Sequence, residues 1–196
     1  LKNYSVNREN LHLIYRGCDL EEFNTSQVTE EWKKDWFNEF PQTKNKTLLT
    51  LPGRITSWKG IESFISLIKN LNDKNYHGLI PGPVSSNKLN YLNSLNKLIH
   101  KNNIESQITF CGARNDIANI YKISTIVFNL SSKPEPFGRT IIEAAACGTH
   151  VIGWNRGGVG ESINAINPTG LIPFGDEKAL IERIPVLIEE NCSQSI

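Results

Sequence analysis

The sequence predicts an α/β domain in which a mostly parallel sheet is flanked by helices. Two patterns along the chain point to it, and its length agrees. From Leu11 onward, short apolar runs alternate with longer segments of helical period, the signature of successive βαβ units. Glycine and proline punctuate the ends of those runs, where open α/β sheets hold their ligands. The 196 residues are also close to the usual size of one domain with one core.

The strand candidates are Leu11 to Tyr15, Thr47 to Leu51, His77 to Ile80, Gln107 to Cys111, Thr125 to Leu130, His150 to Gly153 and Gly170 to Phe174. Between them Ile61, Phe64, Ile65, Leu67, Ile68 and Leu71 recur at helical spacing, as do Leu89, Leu92, Leu95, Leu98 and Ile99, so these stripes are expected to pack on the sheet. Trp32, Trp36 and Phe40 share one helix face and are expected to cover the core. Pro185 falls within the last helical stretch, Glu177 to Glu190, and is expected to bend or split it. Gly53, Gly82, Gly112, Gly138 and Gly157-Gly158 follow strands, so the loops they start are where function is sought.

Composition excludes several classes of function. With 39% hydrophobic and 21% charged residues, and 21 basic against 20 acidic side chains, bulk charge offers nothing to a nucleic acid or an anionic membrane. No apolar stretch approaches the about 18 residues of a membrane span. Cys18, Cys111, Cys147 and Cys192 are scattered and the four histidines do not cluster with them, so neither a zinc site nor a disulfide scaffold is indicated, and reduced, cytosolic cysteines are expected. His12, His77, His100 and His150 read as structural.

Two constellations carry chemistry. In Gly53-Arg54-Ile55-Thr56-Ser57-Trp58-Lys59-Gly60 a strand ends in glycine, two cations follow five residues apart, and an amphipathic helix begins. A guanidinium fork, an ammonium point charge and free helix-end N–H groups suit a diphosphate; the alternative is that both cations are solvated loop charges. The second runs from Glu135 to Gly148. Pro136 and Gly138 resist helix, whereas Arg139 to Cys147 favour it, so Glu135 precedes a helix and Glu143 lies on its second turn. That helix start, at Gly138, Arg139 and Thr140, presents unpaired N–H groups to a phosphate or a sugar hydroxyl. A carboxylate beside a phosphate repels it, so the sensible use of the two glutamates is to accept sugar hydroxyls, Glu143 from a ribose and Glu135 from a hexose. Two alternatives stay open: solvated surface charges, or a glycosidase pair about 5 to 10 Å apart across a cleft. Phe137 is either a packing residue or a substrate contact.

Together these motifs resemble glycosyltransferase family 4. Gly-Arg-x-x-x-x-Lys-Gly carries Arg54 and Lys59, and Glu-x-Phe-Gly with a second glutamate eight residues after the first carries Glu135 and Glu143. Tyr15 to Asp19 is similar to the family's Asn-Gly-Val-Asp segment, with Arg16 and Cys18 departing from it, and Gly157 to Glu161 is similar to its Gly-Gly-x-x-Glu loop. The likeness spans nearly the whole chain. It implies the C-terminal half of a GT-B enzyme, a Rossmann-like three-layer domain, with residues 1–24 as inter-domain segment and first strand and 25–196 as the nucleotide-sugar domain.

Under that resemblance Arg54, Lys59 and Glu135 are the catalytic residues, the two cations gripping the leaving diphosphate. Glu143 binds the ribose, and Phe137, Gly138, Arg139 and Thr140 surround phosphate and sugar. Gly53, Ala113 and Arg114 complete the nucleotide site, the Cys111 to Arg114 loop facing the base; Pro81-Gly82-Pro83 stands where relatives are often richer in glycine. The implied reaction is a retaining hexosyl transfer from a UDP-, GDP- or ADP-sugar to a saccharide or lipid-linked acceptor, in polysaccharide or lipopolysaccharide assembly. No cofactor or metal is expected, and no Asp-x-Asp motif is present. The N-terminal domain of the same protein is the expected partner, the setting cytoplasmic or at the inner face of a membrane, and the isolated chain is expected to bind nucleotide yet transfer poorly. The alternatives are a GT-B-like sugar-nucleotide epimerase and a non-catalytic binding module.

Overall fold

A computed structural model describes residues 16–193 together with residues 9, 12 and 14. The expected strand at Leu11 to Tyr15 falls in a stretch whose residues 11, 13 and 15 lie outside that set. From Thr29 onward the order of elements is α1 (Glu30–Glu39), β1 (Thr47–Thr50), α2 (Ile61–Leu71), β2 (Tyr76–Pro81), α3 (Leu89–Lys101), β3 (Ile108–Gly112) and α4 (Ile117–Ile123), then β4 (Ile126–Asn129), α5 (Arg139–Ala146), β5 (His150–Trp154), α6 (Gly157–Ile166), β6 (Leu171–Ile172) and α7 (Glu177–Ser193).

The described strands form one sheet in the order β3-β2-β1-β4-β5-β6, every neighbouring pair parallel. Parallel neighbours require crossovers, and the helices supply them on both faces. Residue alternation sorts the layers. Leu49, Ile126, Phe128 and Ile152 face a core shared with α2, α3 and α7. Val127 and Val151 turn the other way, onto α4, α5 and α6, and Leu48, Leu79 and Cys111 meet Trp36 of α1 and Ile120 of α4. The Rossmann-like three-layer fold read from the sequence is thus the fold observed.

Local chemistry explains the elements that frame the site. Helix α1 starts where Thr29 Oγ1 accepts the Trp32 N–H at 3.3 Å, with Glu30 and Glu31 in the first turn. Its Trp32 and Trp36 stack with ring centroids 5.3 Å apart, Phe40 at its C-cap tilts against Trp36 at 4.6 Å, and Trp36 is buried. Helix α2 buries Ile61, Phe64, Ile65, Leu67 and Ile68 on one stripe. It begins at Gly60, at φ 76°, where a Cβ would lie 2.0 Å from the Leu130 carbonyl oxygen, so only glycine lets this helix start pass so close to the end of β4.

Two expectations are corrected. Pro185 does not split α7, which is continuous from Glu177 to Ser193; the proline removes one N–H from the ladder while Leu180, Ile184 and Leu187 stay packed in the core. Strand β6 is two residues long rather than the five of Gly170 to Phe174, because Pro168–Gly170 form a 3-10 turn and Pro173 ends the pairing.

Candidate functional site

The sheet order reverses direction between β1 and β4, and in open parallel sheets a crevice forms outside the carboxyl ends of strands at such a point. A cleft of about 260 Å³ lies there. Gly53 and Arg54 after β1, Gly82 after β2, and Arg139, Thr140 and Glu143 of α5 are among the residues that wall it. The wall at Gly53 and Gly82 is backbone brought together by glycine. A Cβ on Gly82 would lie 1.8 Å from the Gly53 carbonyl oxygen. Gly53 N–H donates to Pro81 O at 2.9 Å, and Gly82 N–H to Gly112 O at 2.8 Å.

Arg54 is exposed, and among the described residues it has no ion pair or hydrogen-bond partner. Its charge is available to a ligand. At the opposite wall α5 starts from Gly138, held at φ 77°, so the first N–H groups of α5 emerge at the cleft beside Arg139 and Thr140. Glu143 is buried, its Oε1 2.7 Å from Arg139 Nε and its Oε2 accepting from Tyr121 Oη at 3.4 Å. Burial raises its carboxyl above the usual range, with Arg139 opposing.

Of the two cations expected to converge on a diphosphate, Arg54 and Lys59, the second is paired with Glu135. Neither Lys59 nor Glu135 lines the cleft. Lys59 Nζ lies 2.7 Å from Glu135 Oε1, with the two side chains 15% and 13% exposed. Ser131 Oγ and Asn129 Nδ2 donate to the same oxygen, the latter at 3.2 Å. Burial works against the Glu135 carboxylate, but these donors outweigh it and hold its pKa below the ordinary value. The cation is thus already neutralised by a carboxylate 76 positions away.

The loop carrying Glu135 is seated by the Gly157-Gly158 pair. Gly158 N–H donates to Glu135 O at 2.8 Å, and a Cβ on Gly158 would lie 2.4 Å from the Pro136 carbonyl oxygen. Ser162 Oγ holds the Phe137 carbonyl at 2.9 Å, and Phe137 itself is half-buried. Ala113 is exposed on the loop after β3. Arg114 borders the cleft, yet its guanidinium is engaged: Nε and Nη2 donate to Asp116 at 2.9 and 2.7 Å, and Nη1 to both oxygens of Glu39 at 3.0 Å. Trp32 Nε1 donates to Asp116 as well, so this cluster fastens α1 to the loop. Arg114 shapes the wall rather than presenting a free fork.

Asn129, Ser131, Tyr121 and Asp116 escaped the sequence reading. Asn129 carried a signal, a buried amide ending the run Ile126-Val127-Phe128. Tyr121 sits on a helix face that periodicity assigns to the core.

Residues 32–195 match the family described as glycosyl transferases group 1. The chain belongs to that family. Mannosylfructose-phosphate synthase of Agrobacterium fabrum is 29% identical over 172 residues, covering 84% of this chain and 37% of the relative. A glycosyltransferase from Rickettsia africae superposes with a TM-score of 0.85 at 28% identity, over 94% of this chain and 48% of that one. Anabaena HepE, solved in complex with UDP and glucose, shares the fold with a TM-score of 0.81 at 23% identity, over 95% of this chain and 50% of HepE. This glycosyltransferase chain therefore spans half or less of the length of these relatives. Among its described residues, no helix is long and apolar enough to cross a membrane.

Proposed function

We propose that this chain is the donor-binding half of a retaining, metal-independent glycosyltransferase, and that its cleft holds a nucleotide-diphosphate sugar. The supporting observation is the cleft itself: the exposed Arg54, the start of α5 and the buried Glu143 face one opening at the point where the strand order reverses. Breaking a glycosyl–phosphate bond builds negative charge on the departing diphosphate and positive charge on the sugar. Arg54 and the N–H groups of α5 answer the first need in place of a metal, and being fixed beforehand they need no reorganisation as charge develops. Lys59 adds its charge when the diphosphate competes with Glu135 for it, which leaves Glu135 turned to the sugar. Glu143, an acceptor flanked by Arg139, suits a ribose hydroxyl.

The donor is a UDP-, GDP- or ADP-linked hexose. The acceptor is a saccharide or lipid-linked saccharide of polysaccharide or lipopolysaccharide assembly, met across the cleft by an N-terminal domain of the same protein, in the cytoplasm or at the inner face of a membrane. Alone, the chain binds nucleotide and transfers poorly. Calorimetric titration with UDP-, GDP- and ADP-sugars tests this. One of them binds and Arg54→Ala or Glu143→Ala weakens it; silence from the whole panel, with neither variant altering anything, sinks the assignment.

A further inference from the structure

Three protein donors meet on one oxygen of Glu135, and among the described residues none reaches the other. Lys59 Nζ, Asn129 Nδ2 and Ser131 Oγ all approach Oε1. A carboxylate oxygen offers about two lone-pair sites, so Oε1 is saturated and Oε2 keeps its full accepting capacity. The terminal torsion of a glutamate is otherwise broad and two-fold, and these donors select one orientation of the carboxylate plane.

Asn129 is itself fixed. It is the last residue of β4 and 5% exposed. Its Oδ1 accepts the Ser131 N–H at 3.3 Å, which settles which end of the amide is the donor, and its Nδ2 also lies 3.5 Å from Thr140 Oγ1 on the first turn of α5. Ser131 is equally buried. The Glu135 backbone is held independently, through Gly158 N–H. Main chain and one carboxylate oxygen are thus both held, the oxygen from the end of a central strand, while no hydrogen bond from a described residue reaches the second oxygen. A group built only to neutralise Lys59 has no need of two further buried donors on the same atom.

We propose that Asn129 and Ser131 are positioning residues for sugar recognition: they hold Oε1 of Glu135 even when a diphosphate draws on Lys59, so that Oε2 is the oxygen offered to a hydroxyl of the donor sugar. This rests on the donor-binding function proposed above. It predicts a split that a merely structural role does not produce, because the sugar feels the orientation of Glu135 and the nucleotide does not.

The test titrates the chain with UDP-glucose, GDP-mannose and ADP-glucose, and with UDP, GDP and ADP. Ser131→Ala and Asn129→Leu each lower affinity for the sugar nucleotide about tenfold, the size expected for one charge-assisted hydrogen bond, while the matching nucleoside diphosphate stays within about twofold. Retained diphosphate binding shows that a variant is folded. Equal losses for both ligands, or no loss for the sugar nucleotide, overturn the positioning role and leave the donor-binding function standing. If none of the six probes binds the unmodified chain, the donor-binding function falls and this proposal with it. A ligand-free readout separates the two: carbon-detected NMR titration of Glu135 shows its midpoint rising in both variants, and an unmoved midpoint overturns the contacts themselves.

Discussion

Replacing Lys59 by methionine keeps most of its apolar stem and removes the charge that faces Glu135. At 2.7 Å and an effective dielectric constant of about 20, the Coulomb attraction is about 6 kcal/mol, offset by several kcal/mol for desolvating each ion. The pair as a whole therefore contributes little, whereas its rupture does not. Removing one member of a fully buried pair costs about 3 to 5 kcal/mol. Here 13% of the Glu135 side chain remains open to solvent and Ser131 and Asn129 still donate, which brings the expected cost of Lys59→Met to about 2 kcal/mol. With a urea slope of about 2 kcal/mol/M, the unfolding midpoint at pH 7 falls by about 1 M. The double variant Lys59→Met/Glu135→Gln recovers most of that loss, because no uncompensated charge is left inside. A midpoint shift of Lys59→Met under about 0.2 M, or a double variant as unstable as the two singles added together, refutes the reasoning.

Other outcomes follow from the same geometry. Arg54→Ala leaves the urea midpoint unchanged, since the side chain has no ion pair or hydrogen bond among the described residues, but lowers nucleoside diphosphate affinity by about tenfold to a hundredfold in calorimetry; the opposite pattern removes Arg54 from the site. Gly82→Ala puts a Cβ 1.8 Å from the Gly53 carbonyl oxygen, backbone against backbone, and lowers stability by about 2 to 3 kcal/mol in thermal unfolding, together with nucleotide affinity. Burial pushes His77 down to about 4 from 6.5, with Lys46 adding repulsion. The folded chain then binds fewer protons than the unfolded one between those values, so this contribution to stability is complete above pH 6.5 and drains away as pH falls toward 4. Urea midpoints at pH 7 and 5 record the decline, and His77→Gln flattens it. Glu135 behaves as a lowered carboxyl does: its contribution is present above its ordinary value of 4.5 and is lost on further acidification, less steeply in Ser131→Ala.

Most of the fold was legible because its strands are buried on both faces and its helices on one. The runs at Leu48-Leu49 and Ile126-Val127-Phe128 have no reason to be apolar on both sides except a sheet sandwiched between helices, and the stripe from Ile61 to Leu71 has a single buried side. Strand β6 was overestimated because pairing there is limited by Pro173 and the turn before it, a matter of backbone donors rather than apolarity. The candidate site was legible where backbone demands show in the sequence, at Gly53, Gly138 and Gly157-Gly158. It was opaque where side chains far apart in sequence choose each other. Nothing near Lys59 announces that Glu135 will take its charge, and nothing near Arg114 announces Glu39, 75 residues away. Asn129 was overlooked because a polar residue at the end of an apolar run also marks an ordinary strand terminus.

At Gly60, Gly82 and Gly158 an added Cβ would run into a carbonyl oxygen of another loop, so the Gly53–Gly82 wall of the cleft, the start of α2 and the seat of the Glu135 loop are all set by main chain that has no slack. Under the donor-binding function proposed above, such a frame leaves little freedom to exchange donors by remodelling loops. What can vary without moving that frame is the set of side chains projecting into the cleft, such as Arg54, Arg139 and Thr140. A library varied at those positions with the glycines untouched is accordingly the economical route to altered donor preference, and one that varies the glycines is expected to return mostly misfolded chains.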